Sequence, residues 1–183
     1  PETQVGEIWH ILAVGLPLDF APPINGETGP EIASRAAKAG AFIGIVHPSW
    51  YGLTLEDARS IACAHGIEIY NHGSHVEVDR GSDWGFCDSL LNEGWRLSGF
   101  ATDDAHHMTH DSFGGWVQVH ASNLDPDEIV QSLKAGRYYS SQGPEILDVR
   151  ISESHVDIDC TPVDFVSAVG RGALSVQKNG EGM

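Results

Sequence analysis

The sequence predicts an α/β fold of repeated strand and helix units, followed by a β-rich segment. Short apolar runs alternate with amphipathic stretches up to residue 142, and the helical pattern then disappears at Gly143-Pro144. Repeated β-α units predict a parallel sheet with right-handed crossovers and a cover of helices. Roughly five or six units are recognisable, fewer than the eight of a complete barrel of about 250 residues, so the pattern fits either an incomplete barrel or an open sheet.

The individual elements follow from apolar periodicity and from signals at their ends. Helices are expected where a capping residue or proline precedes an amphipathic stretch and a glycine follows it. In chain order, the pattern predicts strands near residues 7–16, 42–46, 67–70, 99–102, 116–120 and 137–141, helices near 28–40, 54–64, 83–93 and 125–136, and alternating strands from 146 onward. We therefore place an α/β domain at residues 1–143 and a β-rich segment at 144–183.

The charge of the chain restricts its partners. Lys and Arg number 10 against 26 Asp and Glu, which gives a formal charge of −16. Such a chain repels nucleic-acid backbones and anionic membranes, so neither partner is expected. A small phosphorylated substrate is compatible with this charge because bound divalent cations reverse the local potential. The longest apolar stretch is too short to span a bilayer, and we expect a cytoplasmic protein. The sequence predicts no oligomeric state.

Metal-ligating side chains follow three predicted strands. His47 comes directly after residues 42–46, Asn71 after 67–70, and Asp104 and His106 after 99–102. Active sites of β/α barrels lie at such strand ends, and mixed oxygen and nitrogen donors suit Mn, Fe or Zn. His10 lies inside an apolar strand and needs a polar partner, which a metal would provide. The three cysteines are far apart, so a thiolate site is not indicated.

Each of these residues also has a simpler interpretation. Asp104 is typical of a capping aspartate in a polar loop, and Asp103 is an alternative ligand at the same place. Asn71 suits a capped turn. His47 is compatible with a buried imidazole bonded to a carbonyl, although Pro48 is expected to hold it in an extended backbone that directs its ring. The common position at strand ends favours the metal site.

Further polar residues follow the same strands. His72 and His107 are candidates for protonating a leaving group, and His75 and Arg80 for binding the substrate. The alternative is that they are solvated loop residues. No G-x-S-x-G, dinucleotide-binding or Walker motif occurs, which leaves metal-assisted hydrolysis as the best reaction class.

Five motifs occur in order between Trp9 and Pro144. They are His10-Ile11-Leu12, Val46-His47-Pro48, Glu68-Ile69-Tyr70-Asn71, Thr102-Asp103-Asp104-Ala105-His106 and Gly136-Arg137-Tyr138-Tyr139-Ser140-Ser141-Gln142-Gly143-Pro144. Their order and spacing resemble the PHP family, named for polymerase and histidinol phosphatase domains. The resemblance implies a partial, distorted TIM-like barrel of seven β/α units with two or three divalent ions (Mn, Zn or Fe). It implies that His10, His47, Asp104 and His106 bind metal, with Asn71 at a ligand-like position.

The resemblance also implies phosphoester hydrolysis of a small substrate by a metal-activated hydroxide. Some relatives cleave carbamates or amides, so a carbamate, amide or ester hydrolase is one alternative, and a non-catalytic binding or scaffold module is another. The H-x-H pair and other upstream ligands of the family do not occur in this sequence. We expect them before Pro1, which makes this chain an N-terminally truncated fragment that lacks full activity on its own.

Overall fold

The chain forms a mixed α/β structure. A computed structural model describes residues 9–106 and 110–180. The elements in these residues are β1 (Ile11–Val14), α1 (Gly29–Lys38), β2 (Phe42–Ile45), α2 (Pro48–Tyr51), α3 (Leu55–Ser60), β3 (Gly66–Asn71), α4 (His72–Val78), α5 (Trp84–Asn92), β4 (Ser98–Thr102), β5 (Trp116–Val119), α6 (Pro126–Lys134), β6 (Tyr138–Ser141), β7 (Ile146–Ile151), β8 (Val156–Cys160), β9 (Phe165–Val169) and β10 (Ser175–Asn179).

The chain divides into two compact units between Ser140 and Ser141. In the first unit, a four-stranded sheet has the order β1-β2-β3-β4, and β5 pairs with β6 in a separate two-stranded sheet. The second unit contains the antiparallel pairs β7-β8 and β9-β10. Its four strands lie within residues 144–183, and the predicted division of the chain into domains stays a prediction. The barrel implied by the family resemblance stays a prediction.

The direction of β1 differs from the prediction. β2, β3 and β4 are parallel, as expected, but β1 runs antiparallel to β2, with Ile11 opposite Ile45. Residues 15–28 contain no helix or strand and return the chain to the side where β1 begins. There Gly29 lies so close to Trp9 that a Cβ atom on it would be 2.2 Å from the indole ring. Because α1 starts beside Trp9, β2 runs back toward the start of β1, and the prediction of a wholly parallel sheet was wrong here.

Arg35 of α1 holds the return segment 15–28 in place. Its Nε donates to Oε1 of Glu27 at 2.8 Å, and its Nη1 donates to the carbonyl oxygen of Ala21 at 2.8 Å. Its guanidinium also lies 4.4 Å from the centre of the Phe20 ring. Planar guanidinium groups form such paired contacts well. One side chain thus gives a defined path to a segment that has no secondary structure.

The predicted helix ends are mostly confirmed. α1 begins with a capping box between Thr28 and Glu31, and the Asp125 carboxylate caps α6 through the N–H groups of residues 127 and 128. The helix predicted at 54–64 is shorter, since α3 ends at Ser60. α2 and α4 were not predicted, because helices of four and seven residues are too short to show apolar periodicity. No helix in residues 9–106 and 110–180 combines the length and apolarity needed to cross a bilayer.

The four-stranded sheet has an apolar cluster on each face. Alternate residues of β2 point in opposite directions, so Ile43 and Ile45 join one cluster while Phe42 joins the other. The first cluster packs α1, α3 and α5 against the sheet, and the second includes Phe100 of β4 and Leu133 of α6. Both clusters end near the carboxyl ends of β2, β3 and β4, where polar side chains replace apolar ones.

Candidate functional site

His10 and His47 lie beside each other at the end of the sheet where β2 finishes. Because β1 and β2 are antiparallel, the residue before β1 lies beside the residues after β2. Nδ1 of His10 is 2.9 Å from Nε2 of His47. The two imidazoles, 37 residues apart in the chain, are therefore hydrogen-bonded to each other through these nitrogen atoms. The predicted parallel arrangement would have placed His10 at the opposite end of the sheet.

The His47 side chain is buried, with 3 % of its surface exposed. Burial, and next the neighbouring His10, lowers the pKa of His47, so the neutral imidazole is favoured. Its Nδ1 has no hydrogen-bond partner among the described residues. Its backbone is left-handed, with φ 31° and ψ 59°, and not extended as Pro48 was expected to impose. Two features hold this unusual conformation. His47 precedes the first turn of α2, and its backbone N–H donates to Oε2 of Glu68 at 2.5 Å.

Glu68 is the site residue that sequence reasoning missed. Only 1 % of its surface is exposed, and burial raises its pKa to about 7. Its carboxylate accepts hydrogen bonds from the N–H of His47, from Nδ2 of Asn71 at 3.1 Å and from Oγ1 of Thr102 at 2.5 Å. It thus joins the carboxyl ends of β2, β3 and β4. A glutamate between Ile67 and Ile69 in an apolar strand was the available signal, since a buried carboxylate needs partners.

Asn71 connects Glu68 to Asp104. Its Nδ2 donates to Oε2 of Glu68 and to Oδ2 of Asp104, at 3.1 Å in each case. Its Oδ1 accepts the N–H of Ser74 at 2.8 Å and so caps α4. The structure therefore uses the Asn71 oxygen for the helix start, and its amide orients the Asp104 carboxylate. A ligand role for Asn71 stays a prediction.

These side chains surround a cavity of about 270 Å³. Its polar wall consists of His10, His47, Glu68, Thr102 and Asp104, and its apolar wall of Ile11, Leu12 and Val46. Two imidazoles and two carboxylates therefore face one space. Two nitrogen ligands bound to one cation at about 2.1 Å and at a right angle are about 3 Å apart, close to the separation of His10 and His47. The mixed donor set fits Mn, Fe or Zn.

The cavity is not a complete metal cage. Within residues 9–106 and 110–180, no group of three or more His, Cys, Asp or Glu side chains is arranged to hold a metal ion. The described residues provide a histidine pair with carboxylates nearby. A metal site here needs a shift of these side chains or further ligands.

The loop after β4 carries His106 and Asp103. Nδ1 of His106 is 2.8 Å from the carbonyl oxygen of Asp104, and its backbone N–H donates to Asp111 at 2.7 Å. His106 is exposed and does not line the cavity. Both oxygens of Asp103 accept backbone N–H groups of residues 113–115, and Asp103 does not line the cavity, so its place as an alternative ligand stays a prediction.

Three of the four predicted acid and substrate-binding residues, His72, His75 and Arg80, lie away from the cavity wall. His72 is half-buried, with Nδ1 3.0 Å from the hydroxyl oxygen of Tyr70. His75 and Arg80 are exposed, and Nδ1 of His75 is 3.6 Å from a carboxylate oxygen of Asp79. None of these three predicted residues lines the cavity. His107 lies outside the described residues.

Comparison with known proteins gives a likeness of fold. No protein-family model and no curated protein matches this chain. Among solved structures, a two-domain protein from Bacteroides vulgatus that contains a predicted PHP-like metal-dependent phosphoesterase matches with a TM-score of 0.55 and 17 % sequence identity. The match covers 93 % of this chain and 59 % of that protein. At this identity the likeness supports a common fold alone.

The raised pKa of Glu68 predicts a pH dependence of stability. A carboxyl whose pKa is higher in the folded protein stabilises the fold fully below its unfolded value, near 4.5, and loses that contribution as the pH rises through about 7. Relative to Glu68→Gln, the wild-type protein should therefore lose thermal stability between pH 4.5 and 7. Melting curves at several pH values in EDTA, which removes cations that would keep Glu68 ionised, measure this difference. Parallel curves for the two proteins would contradict the prediction.

Proposed function

We propose that the protein is a metal-dependent hydrolase that cleaves a small phosphate ester. The observation that carries the proposal is the pair of imidazole nitrogens from His10 and His47, 2.9 Å apart in a cavity that also contains the Glu68 and Asp104 carboxylates. The Bacteroides vulgatus neighbour, which contains a predicted PHP-like metal-dependent phosphoesterase, supports the choice of phosphate over other substrates. This neighbour is the reason for preferring a phosphate ester to a carbamate, amide or carboxylic ester.

In this proposal, His10, His47 and Asp104 hold the metal, with His106 and ligands outside the described residues completing the site. The buried, neutral His47 suits this role because its lone pair is available for coordination. When bound, divalent ions supply positive charge for the phosphate oxygens and lower the pKa of a water molecule. Mn, Zn and Fe all fit these donors.

The other polar residues of the site orient these ligands. Glu68 accepts a hydrogen bond from the backbone N–H of His47, and Asn71 donates one to the carboxylate of Asp104. Through these hydrogen bonds, both residues orient the proposed ligands. Residues of this kind commonly fix the direction of metal-binding groups. His72 and His107 are the proposed proton donors to the leaving group, and His75 and Arg80 the proposed contacts to the substrate phosphate.

The test combines metal content with hydrolysis of two substrate types. We expect the purified protein to retain Mn, Zn or Fe by mass spectrometry and to hydrolyse p-nitrophenyl phosphate faster than p-nitrophenyl acetate, with the rate abolished by EDTA and restored by Mn²⁺. Faster hydrolysis of the acetate would indicate that the substrate is a carboxylic ester and not a phosphate ester. A protein that binds no divalent ion, even at millimolar concentration, would overturn the proposal.

A further inference from the structure

The carboxylate of Asp103 binds the backbone at the far end of the loop that follows β4. Its Oδ2 accepts the N–H of Phe113 at 2.6 Å, and its Oδ1 accepts the N–H groups of Gly114 at 2.8 Å and Gly115 at 2.9 Å. These donors lie 10, 11 and 12 residues further along the chain. The segment between Asp103 and Gly115 carries Asp104 and His106.

The loop needs this restraint because its backbone is unfavourable at Phe113. Phe113 has φ 63°, in the left-handed region that bulky side chains rarely adopt, and Asp104 has φ 49° in the same region, which aspartate tolerates better. Packing does not offset this backbone strain at Phe113, because 89 % of the residue is exposed to solvent. The hydrogen bonds to Asp103 are thus the contacts that hold Phe113 in this conformation.

The closed loop also contacts the start of α4. The carbonyl oxygen of Asp103 accepts the N–H of Gly73 at 2.8 Å. Gly114 lies against His72 so closely that a Cβ atom there would be 2.1 Å from the His72 ring. Asp103 therefore connects the end of β4, the loop that follows it and the turn that begins α4.

We propose that Asp103 is a positioning residue of the site, which closes the loop after β4 and so holds Asp104 at the cavity wall and fixes the backbone that carries the exposed His106. This inference rests on the proposed function for its metal, but the loop closure stands on the hydrogen bonds alone. In this proposal Asp103 is not itself a ligand, because it does not line the cavity and its carboxylate binds three backbone donors. Its effect on metal binding is exerted through Asp104 and His106.

The variant Asp103→Asn tests this role. An amide has nearly the same shape but points one NH₂ group at the backbone donors, so the loop should open. We expect the affinity for Mn²⁺, measured by calorimetry, to fall about tenfold, as for other residues that orient metal ligands. In NMR spectra, the amides of residues 113–115 should lose protection from hydrogen exchange, and the signals of Asp104 and His106 should shift.

The matched control is Asp125→Asn. The Asp125 carboxylate also accepts two backbone N–H groups, from Asp127 at 2.9 Å and Glu128 at 3.2 Å, but it caps α6 and does not line the cavity. Because Asn caps a helix about as well as Asp, this variant should leave the melting temperature, the affinity for Mn²⁺ and the signals of Asp104 and His106 close to those of the wild type. If Asp103→Asn does not fold, Asp103→Ser, with a shorter and uncharged acceptor, takes its place.

The outcomes separate this inference from the proposed function. Wild-type affinity for Mn²⁺ in a folded Asp103 variant would overturn the positioning role while leaving the hydrolase proposal intact. If the wild-type protein binds no metal, the hydrolase proposal fails, and the NMR comparison still decides the role of Asp103. Unchanged Asp104 and His106 signals in the variant would then overturn it, and shifted signals would support it.

Discussion

Replacing Glu68 by alanine should lower the free energy of unfolding by about 3 kcal/mol or more. The substitution removes the acceptor of three donors, the His47 N–H, Asn71 Nδ2 and Thr102 Oγ1. Each buried donor left without a partner costs about 1 to 3 kcal/mol, and water from the adjacent cavity can satisfy only part of this loss. The left-handed backbone of His47 also loses the contact that holds it.

Urea unfolding followed by tryptophan fluorescence at pH 6 in EDTA measures this loss. The control is Glu56→Ala, since the Glu56 side chain is 86 % exposed and makes an ion pair with Arg59 on the surface of α3. Exposed pairs of this kind contribute little, so the control should unfold close to the wild type. A Glu68→Ala protein as stable as the control would show that the Glu68 carboxylate does not join the three strand ends.

Replacing His47 by alanine should weaken Mn²⁺ binding by more than about 100-fold, because even residues that only orient ligands change metal affinity by about 10- to 100-fold. His47 provides the nitrogen that faces His10, and no other imidazole of the described residues lines the cavity with them. The fold should survive, since Glu68 keeps its bonds to Asn71 and Thr102 and the backbone N–H at position 47 remains.

Calorimetric titration with Mn²⁺ checks the effect, with circular dichroism to confirm folding. His120→Ala is the matched control, because His120 is exposed, belongs to the same unit and does not line the cavity. Equal Mn²⁺ affinity in the His47 variant and the wild type would remove His47 from the proposed ligands, even if the protein binds metal elsewhere.

The elements set by local chemistry could be predicted from the sequence. The Thr28 and Asp125 caps define helix starts through bonds to residues two or three positions away, and such signals are readable without a structure. The strand-end pattern also placed His47, Asn71 and Asp104 at one edge of the sheet, and the structure brings them together. Parallel β2, β3 and β4 end on the same side, which is what the β-α order implies.

What could not be predicted depends on distant partners. The direction of β1 is determined by the path of residues 15–28, which Arg35 fixes through contacts that no periodicity reveals. The burial of Glu68 depends on donors 21 and 34 residues away. The bonds of Asp103 depend on a turn ten residues further on, so the same aspartate is equally compatible with a ligand and with a loop closure until the fold is known.

The antiparallel pairing of β1 and β2 makes the histidine pair sensitive to strand slippage. Side chains alternate between the two faces of a strand, so a shift of β1 by one residue would turn His10 to the face that packs against α1, α3 and α5 and bring Trp9 or Ile11 to its place. A single-residue insertion or deletion in β1 would then separate the two imidazoles while leaving every side chain of the cavity present in the sequence. In related chains, the length of this short edge strand is therefore as informative about the site as the identity of the histidines.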